Sequence, residues 1–469
     1  MYQRKFIDRK DELKFLQSRY TTGSPEFIVI YGRRRVGKTE LILKFMENKK
    51  GIYYLASKEG DRSNIKDFSY RISRMIGDDN FKKIEFPDWI TIFESLFRHK
   101  WFIEQANTKK VVIVIDEFPY LVHSNRAISS VFQKIWELNM KNENVMLILS
   151  GSSVSVMESE VLGYRSPLYG RRTGQWQVQP LDLKYLNEFL PYSKKDLMMT
   201  WFIVGGVPEY LLKFDAKLTL WDNVQNNVIK KGTYLSEEIE YLLNAEFKEP
   251  KNYKLIFKAI ALGYNRLGEI CNYTGLDKSM VSKYLDVLCK LHILKDEAPV
   301  TASSKYKKRL YFISDQYFNF WFRYIYPNRI DLEANRENEV LAMIKKEFPR
   351  YCGHMFEVLT LELFIKRQIP CDLSLSKIGR WWHKDKEIDI VGLNEQNNEI
   401  LFIECKWSDL RLKEAESVLR ELMGKSGFVD WNNGKRKEYF GIVARKIEGK
   451  DQLKKRGFFV FDLDDLLFW

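Results

Sequence analysis

The segment that most constrains the fold is a glycine-rich loop between a strand-like run and a helix-like run. Residues 26–31 read as a buried strand, and the loop from Gly32 to Thr39 has the pattern G-x-x-x-x-G-K-T. Leu41, Ile42 and Phe45 then recur with the spacing of one helix face. A phosphate-binding loop requires this strand–loop–helix context. The sequence therefore predicts an α/β fold whose first loop binds a phosphate.

The residue types in this loop point to a nucleoside triphosphate. Glycines let the backbone wrap a phosphate at low steric cost, and the helix N-terminus points unpaired N–H groups inward. Lys38 is expected to reach the β- and γ-phosphates, and the Thr39 hydroxyl to ligate magnesium. ATP and Mg²⁺ are thus the expected cofactors. The residues expected to contact the nucleotide here are Gly32, Arg33, Arg34, Arg35, Val36, Gly37, Lys38, Thr39 and Glu40.

Two further apolar runs place polar side chains at strand ends. The run at 110–115 is followed by Asp116, expected to hold magnesium directly or through water, and by Glu117, expected to orient and deprotonate the attacking water. The run at 145–149 is followed by Ser150 and Ser152. In a parallel sheet, ligands lie at the carboxyl ends of the strands, so both serines would face the γ-phosphate. Helix capping is an alternative role for them.

At this point the chain resembles a known family, the archaeal-type ATPases, a branch of the AAA+/STAND group of P-loop proteins. The resemblance is carried by the motifs above and by F-I-D-R-K-D-E-L at 6–13. S-P-L-Y-G-R-R-T at 166–173 and G-G-V-P at 205–208 extend it. The arginines at 33–35 depart from a small-residue loop, and at least one is expected to point outward.

The resemblance implies further nucleotide contacts. It implies an adenine contact near Arg9 and a helical lid over residues 181–248, in which the segment containing Pro208 packs near the base. It also implies that Arg171 or Arg172 senses the γ-phosphate, in cis or from a neighbouring subunit. A solvated basic turn is the alternative for that pair.

Positive charge is concentrated in one segment. The chain has 76 Lys plus Arg and 63 Asp plus Glu, a net charge of +13, and residues 250–330 alone contain 14 basic and 6 acidic residues, a net of +8. Such an excess favours a phosphate-bearing partner, although a solvated surface gives the same excess. No apolar run approaches the ~18 residues of a membrane span. The five cysteines form no C-x-x-C pair. The expectation is a cytoplasmic protein with no membrane partner.

The basic segment has the pattern of a winged helix, expected over residues 249–330. A short helix at 267–273 and a tight turn precede a second helix at 278–291, in which Val281, Leu285 and Leu288 share one face. A loop containing Lys305 and Lys307 then precedes a strand-like run. In such modules the second helix enters a DNA major groove and wing lysines contact phosphates. Packing of the module against the ATPase core is the alternative.

The last segment, residues 335–469, combines acidic residues with a lysine. Glu357 falls on a helix-like run at 353–364, while Asp389, Glu404 and Lys406 fall on two strand-like runs that read as paired. Converging carboxylates and a lysine can bind a hard divalent cation and polarise a water for attack on phosphate. The pattern resembles the PD-(D/E)xK, or restriction-endonuclease-like, superfamily, with Glu357 as an accessory acid. A solvated strand face and a fold without cleavage are the alternatives.

The expected architecture is an α/β P-loop core at 1–180, followed by the lid, the winged helix and an α/β restriction-endonuclease-like domain. The leading hypothesis is an ATPase that couples its nucleotide state to DNA binding and to Mg²⁺-dependent DNA cleavage. A second is a STAND-like switch, in which ATP/ADP exchange controls assembly into a homo-oligomer or binding of protein partners, with the C-terminal domain as a scaffold. A third is a DNA-binding regulator with a nearly silent ATPase, which Glu117 disfavours.

Overall fold

A computed structural model describes residues 6–303 and 305–466. Ser304, in the predicted wing, lies outside the described residues. The chain divides into two compact units: the first runs to Leu181 and includes Val207–Tyr210, and the second includes Asp182–Gly206 and the chain from Leu211 onward. The three predicted segments after residue 181 thus fall in the second unit, except for the short stretch around Pro208.

The first unit is built on a five-stranded parallel sheet with strand order β2-β3-β4-β1-β5. Strands β1, β3 and β4 are buried along their whole length, which explains their nearly continuous apolar sequences. The predicted α/β fold is confirmed. The strands are β1 (Glu26–Tyr31), β2 (Gly51–Leu55), β3 (Val111–Asp116), β4 (Val145–Gly151) and β5 (Gly174–Gln177).

Helices cover both faces of this sheet. Side chains alternate along β1, so Phe27 and Val29 join one buried cluster while Ile28 and Ile30 join another on the opposite face. The helices are α1 (Lys10–Tyr20), α2 (Lys38–Met46), α3 (Asp61–Ile76), α4 (Asn80–Lys83), α5 (Trp89–Arg98), α6 (Lys100–Ala106), α7 (Phe118–Ser124), α8 (Ile128–Ile135) and α9 (Val154–Val156), with π-helical turns at Trp136–Met140 and Met157–Leu162.

The second unit begins with helices and a short antiparallel hairpin. Three consecutive helices, α14 to α16, precede the hairpin strands β6 and β7. Val281, Leu285 and Leu288 are buried, as the spacing predicted. The elements are α10 (Lys194–Val204), α11 (Pro208–Leu211, mostly within the first unit), α12 (Leu220–Asn223), α13 (Tyr234–Glu246), α14 (Lys251–Ala261), α15 (Leu267–Thr274), α16 (Lys278–Lys290), β6 (Leu294–Glu297), β7 (Leu310–Ile313), α17 (Gln316–Phe320) and α18 (Arg329–Glu333), with π-helical turns at Val224–Ile229 and Trp321–Ile325 and 3₁₀ turns at Leu183–Glu188 and Tyr326–Asn328.

The unit ends in a mixed five-stranded sheet with strand order β12-β11-β10-β9-β8. The two predicted strands containing Asp389 and Glu404 pair as expected, and the structure shows that they are antiparallel. The helix carrying Glu357 begins at Glu337, well before the expected residue 353, because buried side chains recur along its whole length from Val340. The elements are α19 (Glu337–Ile365), β8 (Lys377–His383), β9 (Lys386–Asn394), β10 (Glu399–Leu410), α20 (Leu412–Ser426), β11 (Lys437–Ile447), α21 (Lys450–Lys455) and β12 (Phe459–Phe461).

Across residues 6–303 and 305–466, the structure contains no helix with the length and apolar character needed to cross a membrane.

Candidate functional site

The glycine-rich loop joins the end of β1 to the start of α2, and its glycines are required by geometry. Gly32 lies against strand-end residue Val178, where an added Cβ would stand 2.4 Å from the Val178 carbonyl oxygen. Gly37 has φ +90°, a conformation that side-chain-bearing residues rarely adopt, and precedes the first residue of α2. The loop backbone is therefore held close to the sheet and turns into the helix N-terminus.

Lys38 is buried within this loop. Its Nζ donates hydrogen bonds to the carbonyl oxygens of Gly32 and Arg33, both at 2.9 Å, and the residue is 6% exposed. Burial lowers the pKa of the Lys38 amine to about 8, against the opposing effect of the nearby carboxylates Glu117 and Asp116. The amine is thus bound by neutral carbonyls, which an anion can replace as its partners.

Asp116 stands at the end of β3 beside Thr39. The Thr39 hydroxyl donates to Asp116 Oδ2 at 2.8 Å, and the Tyr53 hydroxyl from β2 donates to the same oxygen at 2.7 Å. Burial and the adjacent Asp116 raise the pKa of Tyr53, so this phenol stays a neutral donor. Thr39 and Asp116, separated by 77 positions in the sequence, are therefore adjacent in the fold.

Glu117 follows in a left-handed conformation with φ 53°. Its Oε2 accepts a hydrogen bond from the Ser152 hydroxyl at 2.8 Å. Ser150, at the end of β4, is fully buried, and within the described residues its hydroxyl has no hydrogen-bond partner. The sequence predicted that both serines face the γ-phosphate, and this stays a prediction. The structure adds that Ser152 binds Glu117, whereas the Ser150 hydroxyl has no hydrogen-bond partner within the described residues.

These observations fit a magnesium–nucleotide complex. The loop approaches the sheet at Gly32, the Lys38 amine is held by exchangeable carbonyls, and an unpartnered hydroxyl lies at Ser150. The oxygens of Thr39 and Asp116 form the kind of hard pair that magnesium prefers. Asp116 and Glu117 accept their hydrogen bonds from neutral hydroxyl and backbone groups, which a cation can replace.

Arg9 lies beside this loop in a left-handed conformation, with φ 70°. Its guanidinium donates to the Val36 carbonyl oxygen at 2.8 Å and forms an ion pair with Glu12 at 2.9 Å. The residue is 5% exposed. Arg9 therefore supports the backbone of the glycine-rich loop at Val36. The adenine contact predicted near Arg9 stays a prediction.

The other residues predicted to contact the nucleotide are spread around the loop. Arg33 stacks on and hydrogen-bonds Tyr210, two positions after Pro208, with a 3.4 Å contact to its hydroxyl. Arg35 is exposed and has φ 73°, in agreement with an outward-pointing arginine, while Arg34 is half-buried and Glu40 is exposed.

The basic pair at 171–172 has partners of its own. Arg171 forms an ion pair with Glu137 at 3.3 Å, and Arg172 donates to the Leu162 carbonyl oxygen at 3.2 Å. Sensing of a γ-phosphate by either residue stays a prediction.

The C-terminal acidic residues have cationic or backbone partners. Arg380 Nη1 contacts Glu357 Oε2 at 2.9 Å, and the Cys405 N–H donates to Asp389 Oδ2 at 2.7 Å. Glu404 pairs with Lys406 at 3.0 Å and with Lys425 at 3.2 Å. Electrostatic interactions link the four predicted residues into one network. Arg380 and Lys425 add members to it that the sequence pattern did not indicate.

The electrostatics of this network differ between its acids. Burial, with the nearby Glu357 and Glu404, raises the pKa of Asp389 to about 8. Burial opposes ionisation of Glu357 too, but its contacts with His354 and Arg380 keep its pKa lowered. Within residues 6–303 and 305–466, no three His, Cys, Asp or Glu side chains are arranged to hold a metal ion. As it stands the network does not fit a divalent cation, and the metal site stays a prediction.

Comparison with known proteins identifies the family. The profile of a family described as an "ATPase domain predominantly from Archaea" matches residues 6–214. An uncharacterised protein of Methanocaldococcus jannaschii is 38% identical over 463 residues, which cover 98% of this chain and 99% of that protein. The chain belongs to the archaeal ATPase family.

Two other findings agree with this membership. An uncharacterised ATP-binding protein of M. jannaschii is 56% identical over 45 residues, 10% of this chain and 76% of that protein. The solved Walker-type ATPase of Pyrococcus abyssi shares the fold, with TM-score 0.51 at 20% identity, over 68% of this chain and 96% of that one. In this member of the archaeal ATPase family, residues 321–418 also match a family described as "Archaea bacterial proteins of unknown function".

Within the archaeal ATPase, sequence reasoning missed Tyr53, the pairing of Ser152 with Glu117, and Arg380. Tyr53 and Asp116 lie 63 positions apart. Tyr53 is the middle residue of β2, and the last residue of that strand, Leu55, is in register with Asp116 at the end of β3.

Proposed function

We propose that this archaeal ATPase binds ATP with Mg²⁺ at Lys38, Thr39 and Asp116, hydrolyses it with Glu117, and uses its nucleotide state to control DNA binding. The observation that carries the proposal is the 2.8 Å hydrogen bond between Thr39 and Asp116. It brings the phosphate loop and the acidic strand end together.

The chain's own residues supply binding and proton transfer. Lys38, protonated below its pKa of about 8, would exchange the Gly32 and Arg33 carbonyls for phosphate oxygens. Bound magnesium would neutralise phosphate charge and polarise the γ-phosphoryl group. Glu117 would accept the proton of the attacking water, and must exchange or share its contact with Ser152 to do so.

The DNA-binding part of the proposal rests on the basic segment. It assigns residues 181–248 to a lid, 249–330 to a winged helix and 335–469 to a nuclease-like domain. Three helices followed by an antiparallel hairpin are what a winged helix requires. Lys283 on α16 and the wing residues Lys305 and Lys307 are exposed. They are therefore available to phosphates.

The test measures binding of a fluorescent DNA duplex across a salt series with ATP, ADP and a slowly hydrolysed ATP analogue. We expect affinity that falls with salt and differs between nucleotide states. Lys283→Ala should weaken binding several-fold, whereas Lys109→Ala, on an exposed site of the first unit, should not. Absence of salt-sensitive binding in every nucleotide state would refute the DNA part of the proposal.

DNA cleavage makes a further demand on the C-terminal residues. Glu357, Asp389 and Glu404 would have to exchange their present partners for a metal ion. A Mg²⁺-dependent cleavage assay of the parent against Asp389→Ala tests this. Unchanged ATP turnover in the variant serves as the control for folding.

A STAND-like switch is the second candidate, and one observation favours it. The Val300 N–H donates to the Arg380 carbonyl oxygen at 2.9 Å, so the hairpin connection packs on β8. A packed wing suits a scaffold better than a free DNA-binding element. Sedimentation with ADP and with the ATP analogue separates the two readings, because a mass that is the same with both argues against nucleotide-controlled homo-oligomer formation.

A further inference from the structure

Arg380, on β8, is a buried cation that bridges carboxylates from two other elements. Its side chain is 13% exposed. Its Nη1 lies 2.9 Å from Oε2 of Glu357 on α19, and its Nε lies 3.7 Å from Oε2 of Glu297 on β6. The guanidinium therefore stands between the hairpin and the acidic network.

The hairpin is attached to the same residue through the main chain. The Val300 N–H binds the Arg380 carbonyl oxygen at 2.9 Å. The Val300 side chain lies against Gly379, where an added Cβ would stand 3.3 Å from Val300 Cβ. Val300 thus binds the backbone of Arg380, while Glu297, three positions earlier on the chain, lies at ion-pair distance from its side chain.

Each acid of the network is already bound. Glu357 has Arg380, Asp389 has the Cys405 N–H, and Glu404 has Lys406 and Lys425. The acids have these partners although a cation can approach them. A cavity of about 1010 Å³ is lined by Glu357, Arg380 and Asp389, together with Glu297. A cation could therefore reach the acids, but Oε2 of Glu357, Oδ2 of Asp389 and both oxygens of Glu404 already have partners.

We propose that Arg380 takes the place of a metal ion at the Glu357–Asp389 pair, and that Glu297 of the hairpin holds it there. In this arrangement the C-terminal unit binds no divalent cation until the hairpin releases Arg380. A guanidinium is always charged and forms directional contacts with carboxylates, so it can substitute for a cation at all physiological pH values. The inference rests on the nuclease-like assignment of these residues and is independent of ATP turnover.

The test counts Mn²⁺ bound to the full-length, nucleotide-free protein from the electron paramagnetic resonance signal of free Mn²⁺. We expect that the parent and its Asp389→Asn variant bind the same number of ions. Arg380→Gln should gain one ion per chain that the parent does not bind, and adding Asp389→Asn should remove it. Arg380→Lys, which keeps a cation, should behave like the parent.

Two results would overturn the proposal. One is a Mn²⁺ ion in the parent that Asp389→Asn removes, and this measurement does not depend on whether any Arg380 variant folds. The other is a folded Arg380→Gln protein, judged by its thermal melting curve, that binds no more Mn²⁺ than the parent.

A milder variant tests the role of the hairpin. Glu297→Gln leaves the Arg380–Glu357 pair intact and should still give Mn²⁺ binding that Asp389→Asn removes, at lower occupancy than in Arg380→Gln. An Mn²⁺ count equal to that of the parent would refute the holding role of Glu297. ATP turnover measured on the same samples keeps the two proposals distinguishable. A failure of the proposed ATPase would leave the Mn²⁺ counts unaltered.

Discussion

The chain contains two groups of acidic residues, and the partners of their carboxylates differ in kind. Asp116 and Glu117 are bound by the hydroxyl groups of Thr39, Tyr53 and Ser152. Glu357 and Glu404 are bound by the cationic side chains of arginine and lysine instead. Both sets look alike in the sequence, since each combines acids at strand ends or on a helix with a nearby lysine.

The difference lies in what a metal ion must displace. A buried carboxylate needs a partner because leaving it unpaired is costly. A neutral hydroxyl bond contributes on the order of 1 kcal/mol net, so a divalent cation replaces it easily. Breaking a buried ion pair strands a charge and costs about 3–5 kcal/mol. By this argument a metal ion displaces the partners of the first site more easily than those of the second.

The largest expected effect is on ATP turnover, which should depend on Glu117 and not on Asp389. Glu117→Gln should lower turnover at least about 100-fold, because it removes the general base. Asp389→Asn should leave it within about twofold of the parent. Steady-state phosphate release measures both. If Asp389→Asn matched the loss in Glu117→Gln while remaining folded, the two sites would not be functionally separate.

The two lysines give the next contrast. Lys38→Ala should lower ATP turnover about 100-fold or more, because it removes the buried donor to the phosphates. Lys406→Ala is the matched control, since its amine pairs with Glu404, and turnover should be unchanged. Titration with a fluorescent ATP analogue shows whether binding fails along with turnover. Tight analogue binding by Lys38→Ala would contradict the assigned role of this lysine.

The pKa of Lys38 predicts a pH dependence for ATP binding. The amine must be protonated to bind phosphate, and burial lowers its pKa to about 8. Affinity should thus be constant well below pH 8 and fall up to about tenfold per pH unit above it. Lys38→Arg keeps its charge and should give a flat profile from pH 7 to 9.5. A flat profile in the parent would show that the amine is not the titrating group.

The pKa of Asp389 also predicts a pH dependence, in this case of the stability of the protein. Its pKa is raised to about 8 in the folded protein, above the ordinary value for an aspartate. It therefore contributes stability at low pH that is lost as the pH rises toward 8. Thermal melting should show that Asp389→Asn is less sensitive to pH between 5 and 8 than the parent. An equal pH slope in the two proteins would count against a buried, protonated Asp389.

The smallest expected effect concerns Tyr53. Tyr53→Phe removes one of the two hydroxyl donors to Asp116 Oδ2 and should raise the Mg²⁺ concentration needed for half-maximal turnover about fivefold. Tyr54→Phe is the control, because its hydroxyl bonds Asn64 on the other face of β2. A lowered Mg²⁺ requirement would instead identify Tyr53 as a competitor of the metal ion.

Local patterns predicted much of this molecule. The apolar run at 26–31 and the helix face of Val281, Leu285 and Leu288 are local signals, and the structure has both. The juxtaposition of Thr39 with Asp116 followed from the general rule that parallel strands end at one edge. Asp389 and Glu404 lie on neighbouring strands, as the pairing of the two strand-like runs predicted, although these strands are antiparallel.

The contacts that the sequence did not predict are pairings between residues far apart in the chain. Ser152 reaches Glu117 across 35 positions, and Arg380 reaches Glu357 across 23. Neither pairing has a periodic signal, because each depends on how elements pack. The difference between an acid bound by a hydroxyl and one bound by a guanidinium cannot be read from the spacing of the acids themselves.

The position of Arg9 has a practical consequence for work on this ATPase. The residue precedes α1, yet its guanidinium supports the Val36 carbonyl from outside the glycine-rich motif. A shortened protein that begins after residue 9 would keep the whole motif and lose the brace behind it. A loss of activity caused by trimming or tagging near the first residues would therefore resemble a defect in catalysis.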